Sequence, residues 1–322
     1  MSENVVTVGG SVAYRPYSNF STENFKSGKT FYVDPVNGND ARNGQSWEEA
    51  FLTLTAAEDA CTANQHDTVM YYAGSSSLSL TSTLVWDKNY THLIGVCAPT
   101  RTAQRSRIMS SGNTITSLMT ISATGCIFKN IYMFNGSSAA TTYCTQVTGG
   151  RNYFENVHFA GMGNATPAAA VGSCSLFLNG AEENTFVNCT IGLDTAVRGN
   201  VANTQVLMDG NSLRNRFVGC DLVSASTTYT TPLMVKLVDT TATSCYTIFR
   251  DCLFYHFSVA HGAKLAAAFS VPPGTQTHDI ILKDCWAVGI TEWEANDRGQ
   301  IWTSSSVPTA EDGGMMVEPI NT

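Results

Sequence analysis

The sequence predicts an all-β chain, a single-stranded right-handed parallel β-helix (solenoid) with a short N-terminal capping helix and extended N- and C-terminal arms. Three observations lead there. A short motif recurs six times at near-constant spacing, a tight-turn signal stands before each copy, and the composition suits an elongated core. Hydrophobic residues make up 43% and charged residues 14% of the 322 positions, which excludes the disordered class.

The motif is an aromatic or aliphatic residue, any residue, Asn, Asp or Gly, then Cys or a β-branched residue. It reads Phe128-Lys129-Asn130-Ile131, Phe154-Glu155-Asn156-Val157, Phe186-Val187-Asn188-Cys189, Phe217-Val218-Gly219-Cys220, Phe249-Arg250-Asp251-Cys252 and Leu282-Lys283-Asp284-Cys285, with leading residues 26, 32, 31, 32 and 33 apart. Ile94-Gly95-Val96-Cys97 is read as an earlier, degenerate copy. Self-similarity at this period marks a repeat architecture whose unit cannot bury its apolar face alone. A second strand is expected before each copy, as in Leu176–Leu178 or Val206–Met208. Gly125, Gly149-Gly150, Asn179-Gly180, Asp209-Gly210, Asp239-Thr240 or Pro273-Gly274 then supplies the turn.

Stacking about seven such units, at ~4.8 Å per coil, gives a rod on the order of 30–35 Å long. The coil should be right-handed for the usual chirality reason. Phe154, Phe186, Phe217 and Phe249 are then expected to stack inward, and Cys189, Cys220, Cys252 and Cys285 to form a ladder of thiols. Asn130, Asn156, Asn188, Asp251 and Asp284 should occupy a sharp bend. An open terminal coil invites aggregation, so a cover is expected. Ser46-Trp47-Glu48-Glu49 has capping-box spacing, with Thr53 as the alternative start, and Leu54, Ala57 and Cys61 form one apolar stripe.

The expected division is an N-terminal attachment arm at 1–30, an entry strand and capping helix at 31–73, the β-helix at 74–298 and an extended tail at 299–322. The arm carries Tyr14, Pro16, Tyr17, Phe20 and Phe25, and the tail carries Met315, Met316 and Val317. These are the candidate attachment residues, the alternative being an arm that lies along its own solenoid. The charge balance of −8 disfavours a polyanion, so no nucleic-acid partner is expected. No apolar run reaches a membrane span, and Met1-Ser2-Glu3-Asn4 does not open an export signal. The ten cysteines show no Cys-x-x-Cys pair; reduced buried thiols are expected, with no metal and no cofactor.

The stretch Tyr32-Val33-Asp34-Pro35-Val36-Asn37-Gly38-Asn39-Asp40, followed by Gly44, Ala50-Phe51, Thr53-Leu54 and Ala56-Ala57, resembles the entry segment of pectate-lyase-like right-handed β-helix proteins, an opening common among bacteriophage tailspikes and capsid-attached proteins. The resemblance implies a virion component assembled in the host bacterial cytoplasm. It also implies a homotrimer gripping the major capsid protein or another virion protein as a capsid decoration (cement) protein. The alternative is a tailspike depolymerase or glycan-binding spike acting on host surface polysaccharide.

Testing for chemistry favours the mechanical reading over an enzyme; if enzymatic, the chain would be a polysaccharide hydrolase. Such an enzyme needs two carboxylates across a groove, and the candidates are Glu155, Glu182, Glu183, Asp194, Asp209, Asp221, Asp239 and Asp279. Glu182 and Glu183 lie in a turn where they could meet Asp209 or Asp239. Asn179, however, stands in the slot that Asp209 and Asp239 fill, which argues for hydrogen-bonding geometry. No acidic cluster suits a calcium-assisted lyase. His256 and His261 read as packed or solvated residues. Trp286, Trp293 and Trp302 either close the C-terminal end of the core or form a sugar-stacking face.

Overall fold

The Phe-x-Asn-Cys motif ends one strand and opens a corner, and a third strand leaves that corner. In a computed structural model, the chain is described over residues 28–74, 77–111, 114–226, 231–238, 245–258, 264–271, 278–295 and 301–303, with the backbone of two short strands, Thr7–Val8 and Ser11–Val12. One coil runs through Thr185–Val187, turns at Asn188, continues through Thr190–Arg198 and Thr204–Asp209, and re-enters the first sheet at Arg216–Val218. Repetition builds three all-parallel sheets of ten, eight and eight strands. The chain is thus a right-handed parallel β-helix, with eight strands in each shorter sheet where the motif alone points to about seven coils. The strand after each corner carries no clear signal in the sequence, because it alternates buried polar with buried apolar positions; Tyr132–Gly136 carries buried Asn135.

Register pairs Phe154 with Phe186, Phe186 with Phe217 and Phe217 with Phe249. Their rings stack at 4.6 Å and within 7° of parallel, and Phe128 extends the column at 5.0 Å from Phe154. Burying each ring contributes about 1.5–3 kcal/mol, and stacking adds about 0.5–1.5 kcal/mol. The thiol ladder also forms: Cys189, Cys220, Cys252 and Cys285 are free and each donates to the carbonyl of the Phe one coil earlier, at 3.4–3.6 Å.

At the corner, Asn130, Asn156, Asn188, Asp251 and Asp284 all have φ between 51° and 56°, and Gly219 has 61°. Asn, Asp and Gly are the residues that tolerate this left-handed region. Asn156 Nδ2 also donates to Asn130 Oδ1 at 3.0 Å. The degenerate copy needs a correction of register. Leu93, not Ile94, pairs with Phe128, so the unit is Leu93-Ile94-Gly95-Val96. Cys97 lies outside the core ladder; its thiol donates to Asn130 O at 3.4 Å.

The covering helix is Leu54–Ala60, capped by Thr53, whose Oγ1 accepts from Ala56 N–H at 3.1 Å. Ser46 does not start it; its hydroxyl accepts from Glu49 N–H at 3.2 Å in a separate turn. Asp40 fixes the start, accepting from Leu52 N–H, Thr53 N–H and Thr53 Oγ1 at 2.8–2.9 Å. Seven residues are too few for an isolated helix; burial of Leu54, Ala57 and Cys61 against the core holds it. At the other end only Trp293 closes the core, packed on Phe254 and Phe269. Trp286 and Trp302 are 50% and 58% exposed. Of the two roles expected for these tryptophans, closing the core therefore falls to Trp293 and not to Trp286 or Trp302. Thr30–Val33 and Ile301–Thr303 form the two outer strands of the ten-stranded sheet.

Candidate functional site

Between Gly95 and Arg107 the chain leaves the coil and runs across the left-handed corners of the following turns. Gln104 Nε2 donates to Asn156 O at 2.7 Å and Oδ1 at 3.2 Å. Ala103 N–H donates to His158 Nδ1 at 3.1 Å. Further on, Thr190 Oγ1 donates to Arg101 O at 2.8 Å, and the Arg101 guanidinium reaches Gly219 O and Asp221 Oδ2, both at 2.6 Å. The segment is a strap, fastened across three successive corners by polar contacts.

Strap and corners enclose a groove of about 390 Å³, lined by Pro99, Arg101, Lys129, Asn130, Glu155, Asn156 and Asn188. Lys129 and Glu155 are in-register partners on adjacent strands of the first sheet, and their side chains pair at 3.0 Å. Tyr153 Oη donates to Glu155 Oε2 at 3.2 Å. Burial pushes the Asp221 carboxyl up from its ordinary value, an effect the Arg101 charge partly offsets. Burial also holds His158 down at about 4. The arrangement places a carboxylate, two cations and a row of amides along one polar cleft, a set that can hydrogen-bond a hydroxylated polymer.

The structure places Glu182 and Glu183 at a different corner, between the third and first sheets. Their partners are arginines on neighbouring coils. Glu183 bonds Arg151 and Arg214 at 2.7 Å each, and Glu182 bonds Arg214 at 3.2 Å. The hydrogen bond from Arg214 holds the Glu183 carboxyl below its ordinary value, against some desolvation. Asp209 pairs in register with Asn179, and its Oδ1 accepts from Gly210 N–H at 2.8 Å. Asp239 lies outside the described residues, as do Tyr14, Pro16, Tyr17, Phe20, Phe25, Met315, Met316, Val317 and His261. His256 is buried between Ser224 and Ser226, at 2.9 and 3.3 Å.

Of the groove residues, only Glu155 stands out as an acid in the sequence. The spacing carries a small signal for the strap: Leu93 to Phe128 is 35 residues, against 31, 32 or 33 between the later copies. The excess is an excursion, and its contents face the corners. Among the described residues, no three His, Cys, Asp or Glu side chains gather in a way that would hold a metal. No helix among them is long and apolar enough to cross a membrane.

No family model matches the chain, and no curated protein matches it. Solved structures do share its fold. The pectate lyase Pel9A superposes with a TM-score of 0.59 at 16% identity, over 84% of this chain and 66% of its own. The pectin methylesterase PemA from Erwinia chrysanthemi gives 0.58 at 14% identity, over 91% and 94%. A rhamnogalacturonan lyase gives 0.54 at 13%, over 83% and 70%. At this identity the likeness is one of fold. Two expectations are nonetheless corrected. The bacteriophage, virion and capsid-decoration identity is not borne out, because the neighbours are named for pectin and pectate processing, and the preference for a non-enzyme is overturned by the same run of enzymes.

Proposed function

We propose that the chain is a polysaccharide-acting enzyme of the hydrolase type, binding surface glycan in the groove beneath the strap. The observation that carries this reading is the groove itself, a polar cleft in which Glu155 stands against Lys129 beside a row of asparagines. Hydrolysis of a glycosidic bond uses one carboxylic acid to protonate the leaving oxygen and one carboxylate to take the proton of the attacking water. Glu155 in the groove and Asp221, tied by Arg101 to its rim, are the pair assigned to that work. A second reading, glycan binding without cleavage, is favoured by the exposed Trp286 and Trp302, since flat aromatic faces suit contact with a partner. The division into an arm at 1–30, entry segment at 31–73, β-helix at 74–298 and tail at 299–322 belongs to the same proposal, as does a homotrimer.

The test is incubation with a panel of surface polysaccharides, assayed for new reducing ends and for unsaturated sugars. Reducing ends that disappear in Glu155→Gln and Asp221→Asn, with binding retained, are the expected result. Unsaturated products would replace hydrolysis with elimination. Retention on a glycan without any product would support the binding reading alone, and neither binding nor product would overturn both.

A further inference from the structure

Resting on that proposal, we infer that the groove selects an uncharged polysaccharide and discriminates against a polyuronate. The inference comes from how its charges are spent. Of the seven lining residues, Arg101 and Lys129 are the cations. Lys129 pairs with Glu155 at 3.0 Å and Arg101 with Asp221 at 2.6 Å, so both are matched by carboxylates of the chain itself. A sugar carboxylate entering the groove would compete with Glu155 for Lys129 or with Asp221 for Arg101. It would leave two like charges at one cation, which is unfavourable in a partly desolvated site. The −8 charge of the whole chain adds long-range repulsion of a polyanion.

The remaining lining groups suit neutral sugars. Asn130, Asn156 and Asn188 stand in successive coils at one corner. The Asn188 side chain is exposed, lines the groove and makes no hydrogen bond among the described residues. An amide donates and accepts at once, as does each sugar hydroxyl, whereas a carboxylate only accepts. Asn156 spends its amide on Asn130 Oδ1 and Gln104 Nε2, so the paired donor and acceptor positions open to a hydroxylated chain are those of the exposed Asn188 at the end of the row.

The experiment measures binding of the full chain to dextran, mannan, galactan and arabinan against polygalacturonate at low and high salt. At least one uncharged polymer should bind tenfold or more tightly than polygalacturonate, with little salt dependence. Asn188→Gly, which keeps the left-handed backbone, should weaken that binding several-fold. Glu155→Gln should narrow the gap by admitting the polyanion. Polygalacturonate binding as well as or better than every neutral polymer would overturn the selectivity while leaving the polysaccharide reading intact. No binding to any of the five would overturn both.

Discussion

The backbone N–H of Asn184 donates to the side-chain Oδ1 of Asn215 one coil on, at 2.9 Å. The same bond joins Asn152 N–H to Asn184 Oδ1 at 2.9 Å and Cys126 N–H to Asn152 Oδ1 at 2.8 Å. Each amide nitrogen closes the other side, donating to Ala123 O, Gly149 O or Ala181 O. All three asparagines are buried. They satisfy backbone groups at the corner between the third and first sheets that would otherwise be stranded inside the rod, where an unpaired group is costly.

Asn184→Ala strands two buried backbone groups, Asn152 N–H and Gly149 C=O, and each costs about 1–3 kcal/mol. The expected result is a clear fall in melting temperature with the β-rich circular-dichroism spectrum kept. Asn184→Asp should be no better, since it keeps the acceptor but loses the donor and buries a charge. An unchanged melting temperature in Asn184→Ala would show that water replaces the side chain.

Much of the fold was legible because the first sheet writes its inward face and its corner into four consecutive residues. Phe186 and Asn188 report a column and a bend together. The asparagine ladder had a signal of its own, Asn-x-Phe in Asn152-Tyr153-Phe154, Asn184-Thr185-Phe186 and Asn215-Arg216-Phe217. It is easily missed because Cys126 takes the slot in the preceding copy. The site was far less legible. Lys129 and Glu155 are neighbours only through coil register, and Arg101 reaches Asp221 only because the strap crosses intervening turns. The first is implied by the second slot of consecutive motif copies, Phe128-Lys129-Asn130 and Phe154-Glu155-Asn156, whereas the second leaves no trace in local spacing. Asp209 stands in register with Asn179, and Asp251 and Asp284 take the left-handed corner that Asn fills in other coils, a placement that the interchange of Asp with Asn already implies.

Phe186→Ala removes the centre of the aromatic column and leaves a cavity that parallel strands cannot collapse, at a cost of about 3–5 kcal/mol. Phe186→Leu should cost under about 1.5 kcal/mol, because hydrophobic swaps of similar volume are tolerated and Leu93 and Leu282 already occupy the column. Chemical denaturation of the two variants separates these outcomes. Equal losses would mean that the aromatic ring itself, not the presence of an apolar filler, sets the stability.

Gly219 and Asn188 test the corner. A Cβ at Gly219 would stand 2.7 Å from Asn188 Oδ1, on a residue with φ of 61°. Gly219→Ala should therefore cost about 1–2 kcal/mol from the left-handed backbone alone, plus a steric share that Asn188→Gly relieves. In a double-mutant cycle the pair should couple by at least about 0.5 kcal/mol, the added methyl being less harmful once Asn188→Gly has removed the obstructing amide. Strict additivity would show that Asn188 simply turns aside.

His158 makes stability depend on acid. Its Nδ1 must accept, because Ala103 offers an N–H at 3.1 Å, and its Nε2 must donate, because Gly192 offers a carbonyl at 2.9 Å. The folded ring is thus neutral, and burial lowers its pKa from 6.5 to about 4. The unfolded chain binds the proton more tightly, so this contribution is fully present above pH 6.5 and is lost as pH falls towards 4. His92, His256 and His278, also lowered to about 4 by burial, act with the same sign. Protonation of His158 in addition removes the acceptor that fastens the strap at Ala103. Stability, followed by chemical denaturation, should fall steadily between about pH 6.5 and 4, by up to about 1.4 kcal/mol per pH unit for each histidine. His158→Gln should flatten the slope by one proton's share and also raise the amide exchange of the strap at neutral pH. A variant with the parent's slope would mean that His158 is already charged in the folded chain and that the strap is held by Arg101 and Gln104 alone.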